Sequence, residues 1–516
     1  MISSGAIIDK KPHLTSPKRE ELHTALACSL FPSNIYLLSN QRIIETVLNG
    51  VRFQRMLFVG LPTFMAIAAP PDNLQVEIGN RQILKIALPI SLAILVPQFN
   101  FITNNIFLGH YSQQALATAS ITGVYYLIFA MIGFGLNNGL QTLIARRAGE
   151  NRPEEIGKIF GQGVFISMII AAVGIILTWF LAPVILKNVL HNPETADDAI
   201  QFLKIRIWGL PFLYIYQMRN ALLVGTNNSR YLVSGALAET IANIAFDYLF
   251  IFGHFGFPEM GLNGAAVASI IAEFIGMFVI FVVIHYKGIS KKFAVFSHLQ
   301  WNGEYVKQIL SISMPLIFQL AISIISWEFF YILIEHHGQK DLAISNVMRN
   351  IFGLAGCFSW AFAATSSAMV SNIIGQGKKE LVPALIWKIV KMSTGLAIIL
   401  ASLINIFPVL FLSVFGQDEA FTLTALPVVR VVTFAMVLMS FSVVWMNAIT
   451  GTGNSRFTFL IELITLVLYC IYVYVVLEEY KLSITYGWMS EWLYWLSIFS
   501  LSYWYMRSGK WKGKVI

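Results

Sequence analysis

From residue 83 to residue 506 the chain carries apolar runs at regular intervals, each about 20 residues long and so able to cross a bilayer as a helix. Inside lipid a helix satisfies every backbone N–H and C=O within one segment, so runs of this kind restrict the fold severely. Of the 516 residues 57% are hydrophobic and 12% charged, with 39 Phe and a mean hydropathy of +0.68, which excludes a soluble protein of this length. We expect an all-α integral membrane protein of about twelve transmembrane helices, placed by hydropathy. The first six fall near residues 83–107, 115–136, 160–185, 205–223, 231–252 and 264–285. The second six fall near 309–334, 347–367, 389–412, 428–448, 457–476 and 489–506.

The chain divides into three parts. Residues 1–80 are mixed in character, with basic pairs at Lys10-Lys11 and Lys18-Arg19 and an apolar stretch interrupted by Pro62. We read them as an N-terminal extension, disordered or not native, with the working protein beginning close to Glu77; their layout is not that of a secretory signal. Residues 81–290 form an N lobe and residues 307–516 a C lobe, each with six helices.

A net charge of +8 could suggest nucleic acid, but the cations sit in short clusters between apolar runs. Arg146, Arg147 and Arg152 follow the second run, Arg230 the fourth, and Lys287, Lys291 and Lys292 the sixth. Lys378 and Lys379, then Arg456, then Arg507, Lys510, Lys512 and Lys514 continue the alternation. The intervening connections are poorer in cations, as at 416–426 with Asp418 and Glu419. By the positive-inside rule both termini are expected in the cytoplasm. The three cysteines, Cys28, Cys357 and Cys470, have no CxxC spacing, the nine histidines are dispersed, and no HExxH, GxSxG or P-loop motif occurs. We expect no cofactor, no resident metal, no nucleic-acid partner and no enzymatic activity.

The two halves repeat at one constant offset. Pro89 and Pro315, Leu116-Ala117 and Leu342-Ala343, and Gly149 and Gly375 all lie 226 residues apart. So do GTNNSR at 225–230 and GTGNSR at 451–456. An offset of six helices returns the chain to the same side of the membrane, so the repeats are parallel about an axis along the membrane normal, and two such lobes around a central cavity suit a transporter that rocks.

One stretch stands out chemically. In ETIANIAFD, Glu239, Asn243 and Asp247 lie four residues apart and share one face of a helix. A carboxylate at membrane depth costs roughly 2.5–3.5 kcal/mol even on lenient insertion scales, so such groups usually face a bundle interior or a wet cavity. The stripe is a candidate ion site; alternatively, Glu239 and Asp247 hydrogen-bond to neighbouring helices. Asn243 and Asp247 correspond to Tyr469 and Val473 in the second repeat, so the ion chemistry is expected to be confined to the first half.

The chain also resembles the multidrug and toxic compound extrusion (MATE) transporters. The resemblance covers 83 to about 506 and rests on LKIALPISLAI at 84–94, NNIFLGHYS at 104–112, QTLIARRAGE at 141–150, the two GT[NG]NSR copies, NIAFDYLFIFG at 243–253 and GLNGAAVAS at 261–269. It implies an antiporter that expels amphipathic, often cationic compounds in exchange for Na⁺ or H⁺, working as a monomer in the lipid of a bacterial-type inner membrane. It also implies a cation site in the N lobe: Asp247 and Asn243 match the family's fifth-helix pair, and these two would hold the metal ion if the coupling is to Na⁺. Ser269 stands where a sixth-helix hydroxyl is expected.

The family's first-helix aspartate is replaced by Asn104. One carboxylate with two amides makes a site of smaller charge than two carboxylates. Glu273, four residues past Ser269, is a candidate for the missing charge, or else makes a polar interhelical contact. In some members a seventh-helix glutamate serves the C lobe; counting from Pro315 reaches Ser323, so it is absent here. Glu328, five positions on, is a candidate C-lobe contact for a proton or drug cation. Pro89 and Pro97 interrupt the first helix and are candidate bending points, or static kinks. Tyr126, Phe134, Trp327 and Trp360 are candidate drug contacts, and Asn137, Asn138 and Gln141 mark a polar cavity or its rim. A rival reading is a lipid-linked oligosaccharide flippase of the same superfamily, for which Arg219 and Arg349 are the candidate pyrophosphate contacts.

Overall fold

A computed structural model describes residues 74–190, 192–295, 300–413 and 419–516, so nearly all of the N-terminal extension, and Asp418, lie outside the described residues. The N lobe comprises α1 (Asn80–Tyr111), α2 (Gln113–Gly149), α3 (Pro153–Val189), α4 (Pro193–Arg206), α5 (Leu210–Gly225), α6 (Leu232–Phe252) and α7 (Gly261–Tyr286). The C lobe comprises α8 (Gly303–Glu335), α9 (Gln339–Gly375), α10 (Val382–Ile406), α11 (Glu419–Thr452), α12 (Ser455–Tyr474) and α13 (Ser490–Arg507). Among the described residues ten helices are long and apolar enough to cross a membrane. The two other expected spans are helical too. The fourth is divided at Ile207–Gly209, just before Pro211, into α4 and α5 of 14 and 16 residues, and α13 is rich in Trp and Tyr, which lower its hydropathy.

α2 and α9 run well past their predicted ends at 136 and 367, to Gly149 and Gly375. Hydropathy truncates them because their last turns are polar, but those polar groups are spent on each other. Gln141 Nε2 donates to the Ala364 carbonyl at 3.0 Å, the Thr142 and Ser367 hydroxyls meet at 3.1 Å, and Ser371 Oγ donates to the Thr142 carbonyl at 2.7 Å. Arg146, 4% exposed, donates to the carbonyls of Ser371, Gly451 and Thr452 at 3.0–3.3 Å. The helices cross so closely that a Cβ on Gly149 would strike the Asn372 carbonyl and one on Gly375 the Arg146 carbonyl. Since Gly149 and Gly375, and Arg146 and Asn372, are repeat mates, the contact is reciprocal, and the pseudo-twofold axis passes through it. Close approach of helix backbones at small residues is how helices associate without a hydrophobic drive. These inter-lobe hydrogen bonds lie in the half of the bundle that ends in the cationic loops.

The repeated GT[NG]NSR loop also has a physical reason. A proline inside a helix leaves the carbonyl four residues earlier without its donor. For Pro89 that carbonyl is Lys85, and Ser229 Oγ donates to it at 3.3 Å; for Pro315 it is Ser311, and Ser455 Oγ donates to it at 3.5 Å. The variable third position takes positive φ in both copies, 63° at Asn227 and 92° at Gly453, which Asn and Gly tolerate best. Pro89 and Pro97 both lie within the continuous helix α1.

Candidate cation-coupling site

α6 and α7 pack antiparallel through small residues. Gly235 meets Ile280, Gly276 meets Glu239, and Gly264 meets the Phe250 backbone, and this register brings Ser269 beside the second half of α6. Asn243 Nδ2 donates to Ser269 Oγ at a long 3.5 Å, leaving the amide oxygen available. One turn on, Asp247 is 0% exposed, and neither carboxylate oxygen has a hydrogen-bond partner. A buried carboxylate without a donor is costly and rare, and invites a cation.

α1 lies against the same part of α6. Phe107 packs on Tyr248 and Phe252, with ring centroids 6.4 and 5.9 Å apart, and Tyr111 packs on Phe252 at 6.4 Å. Asn100, Asn104, Phe107 and Tyr111 recur at helical spacing, so both asparagines fall on the α1 stripe that faces α6. Asn104 is three residues before Phe107, as Asp247 is three before Phe250, so the two share a depth along these parallel helices. Asn100 Oδ1 is a further buried oxygen with no partner, one that the sequence reading did not single out.

The two glutamates are placed elsewhere. Glu239 is eight residues from Asp247 on one continuous helix, about 12 Å along its axis at 1.5 Å per residue, too far to share one ion with it. Glu273, read as either a source of the missing charge or a polar interhelical contact, makes the latter and is neutralised. Arg206, at the end of α4, grips it with Nη1–Oε2 at 2.9 Å and Nη2–Oε1 at 2.5 Å, Tyr126 donates its hydroxyl at 3.1 Å, and the guanidinium lies 3.8 Å from the Tyr126 ring centroid. Both charges are nearly buried, with side-chain exposures of 12% and 6%. Arg206 is close enough to Asp247 and Glu239 to interact with both electrostatically. The sequence reading missed Arg206, although an intramembrane glutamate with no partner in its own helix was the signal to look for one.

In the C lobe Glu328 is exposed, on the α8 face shared by Ile325 and Ile332, rather than held in a pocket. Among the described residues the buried acids there are Glu462 on α12 and Glu491 on α13, 0% and 4% exposed. Buried acids thus occur in the C lobe as well, although Tyr469 and Val473 stand there at the positions of Asn243 and Asp247. Of the other aromatic candidates, Phe134 and Trp360 are exposed, while Arg349 lies 5.4 Å from the ring centroids of Trp327 and Tyr331. Arg219 donates to the Met277 carbonyl. Among the described residues no cluster of His, Cys, Asp and Glu has the arrangement of a metal centre.

The MatE family model matches residues 89–249 and again 315–475, two matches displaced by the same 226 residues as the repeat. A probable multidrug resistance protein NorM from Thermotoga maritima is 23% identical over 445 residues, 84% of this chain and 94% of the relative. Among solved structures, MATE in the straight conformation superimposes with a TM-score of 0.78 at 16% identity, covering 87% of this chain and 100% of that one. The outward-facing conformation of a multidrug resistance MATE family transporter gives 0.78 at 15% identity, with 87% and 99% covered. A MOP superfamily transporter from Pyrococcus furiosus gives 0.77 at 16% identity, with the same coverage. These structural likenesses show the fold.

Proposed function

Because the chain belongs to the MatE family, whose model matches both halves of this multi-pass membrane protein, we propose that it is an efflux antiporter in which Asp247 couples export to entry of Na⁺ or H⁺. The observation that carries this reading is the Asp247 carboxylate, wholly buried with neither oxygen hydrogen-bonded. No hydrogen-bond donor reaches either oxygen in the state described, so a cation arriving there supplies the contact that the protein does not. Asn243 and Ser269, with Asn104 and Asn100 from the facing stripe of α1, would offer it neutral oxygens, a set of hard donors suited to a small monovalent ion. The exported compounds are amphipathic and often cationic, accommodated by the exposed aromatic and apolar side chains of the helices rather than by a fixed polar template.

The lobes are tied together at the cation-rich end. With that end and both termini in the cytoplasm of a bacterial-type inner membrane, the state described faces outward, which is the state that should admit the external cation. The cation must bind the two conformations with different affinity to drive the cycle, and a site spanning α1, α6 and α7 changes its donor geometry whenever α1 shifts. The flippase reading is not favoured: Arg219 is occupied by a backbone carbonyl and Arg349 by two aromatic rings, so neither is poised for a pyrophosphate. The test is efflux of a fluorescent cationic dye from proteoliposomes under an imposed Na⁺ or pH gradient. Movement driven by one gradient names the ion, and no movement under either, in folded protein, rejects the antiport reading.

A further inference from the structure

Lys391 is a charge that nothing in the protein accounts for. It lies nine residues past the start of α10, about 13 Å along the axis, on the exposed side of a helix long and apolar enough to span the membrane. Among the described residues it makes no ion pair, hydrogen bond or ring contact. Its neighbour Lys388, by contrast, donates to the Ile78 carbonyl at 3.2 Å. An ionisable side chain within a membrane helix is costly and rare, and normally has a partner.

Lys391 borders a groove on the outer surface of the C lobe. α10 and α13 both pack on α11, and between them lies a depression of about 460 Å³, within the range of sites that hold a small ligand. On the α10 side it is lined by Trp387, Lys391, Gly395 and Ile398, which recur at helical spacing along one stripe. Phe441 of α11 and Phe499 of α13, with ring centroids 4.9 Å apart, line it opposite. Gly395 hollows the groove, since a Cβ there would meet nothing within 4 Å. The Trp387 ring reaches Tyr503 of α13 across the gap, 6.3 Å between centroids, and bounds the groove toward the cation-rich end.

Length and polarity match one leaflet of a bilayer. From Trp387 to Ile398 the stripe covers about 16 Å, or half of a hydrocarbon core of about 30 Å. Side chains on a helix lean toward its N-terminus, so Lys391 carries its ammonium back toward Trp387 and the loop with Lys378 and Lys379. Trp and Tyr rings favour the headgroup level. The groove therefore offers an apolar channel for one acyl chain, with a cation and two aromatic rings at the end where a headgroup would lie.

We propose that this groove seats one anionic phospholipid of the leaflet at the cation-rich end, with an acyl chain along Gly395 and Ile398 and the phosphate on the Lys391 ammonium. A cationic amphiphile would meet like charge there, and a zwitterionic lipid would bring a second cation against the lysine. An anionic lipid supplies the net negative charge that Lys391 lacks. The site lies on the outer face of the C lobe and does not depend on the Asp247 reading.

The experiment is native mass spectrometry of the purified full chain, delipidated in detergent and titrated with dioleoylphosphatidylglycerol or dioleoylphosphatidylcholine, which have the same acyl chains. The first phosphatidylglycerol should bind about fivefold more tightly than the first phosphatidylcholine, the scale of one lysine's attraction to an anionic lipid surface. Lys391→Gln should abolish that preference, and Gly395→Leu, which fills the groove and keeps the lysine, should weaken phosphatidylglycerol binding by a similar factor. Lys510→Gln, a change to an exposed cation outside the groove, should leave both lipids unaffected. Should Gly395→Leu fail to give monodisperse protein, Ile398→Trp, which narrows the groove from an exposed position, takes its place. Equal affinity for the two lipids in wild type overturns the proposal. So does a preference that survives Lys391→Gln or falls equally in Lys510→Gln, or phosphatidylglycerol binding that filling the groove leaves unaltered.

Discussion

Ser229 donates its hydroxyl to the one carbonyl, that of Lys85, which Pro89 deprives of its helical donor. Its repeat mate Ser455 does the same for Ser311 beneath Pro315. A loop motif and a helix-interior proline 140 residues away are thus one device, present twice. Ser229→Ala should cost about 0.5–1.5 kcal/mol, the usual net worth of such a bond. In a Pro89→Ala background, where residue 89 again supplies an N–H to Lys85, the same change should cost little. Thermal unfolding of the four proteins closes the cycle, and equal losses in both backgrounds would disprove the link.

The reciprocal crossing of Gly149 and Gly375 holds the cation-rich end shut. Gly149→Ala puts a methyl group against the Asn372 carbonyl and should cost about 1–3 kcal/mol of packing in the closed arrangement. Ser367, buried at this seam, is the reporter. In a background without other cysteines, Ser367→Cys should resist maleimide applied from the cation-rich side and become reactive once Gly149→Ala is added. Unchanged protection would mean that the crossing does not hold the seam.

Arg206 and Glu273 form a buried, bidentate pair, and removal of one partner strands the other. Arg206→Met alone should destabilise the protein by about 3–5 kcal/mol, while Arg206→Met with Glu273→Gln should recover most of that loss. The double variant should also keep its gradient-driven transport, because Glu273 is already neutralised in the native protein. Loss of coupling in a stable double variant would return Glu273 to the ion site.

Asn104 shares a depth with Asp247 on the stripe of α1 that faces α6. Asn104→Asp adds a second negative charge to the neighbourhood and should lower the Na⁺ concentration for half-maximal effect roughly tenfold, the scale of a Coulomb interaction at partly buried separations. Dye efflux titrated with Na⁺ reads this directly. An unaltered midpoint would place Asn104 outside the site.

The all-α membrane architecture, the duplication and its offset were legible because they are written in hydropathy and identity along one strand of sequence. Asp247 and Asn243 were legible for a related reason, since polar residues on an otherwise apolar helix announce themselves. What escaped depended on partners elsewhere in the fold. The last turns of α2 and α9 read as loops because Gln141, Thr142 and Arg146 are polar, yet each is satisfied by the opposite lobe. Glu273 resembled a spare charge until Arg206, on another helix, accounted for it. Glu462 is not marked by the repeat, because the first half has Ala236 at that position.

The central claim rests on Asp247, and the most direct measurement is dye transport in proteoliposomes by wild type and Asp247→Asn, with dye binding to the same preparations as control. The account predicts that Asp247→Asn still binds dye but no longer moves it against its gradient under either an imposed Na⁺ or an imposed pH gradient. Gradient-driven transport at the wild-type rate in Asp247→Asn would contradict it.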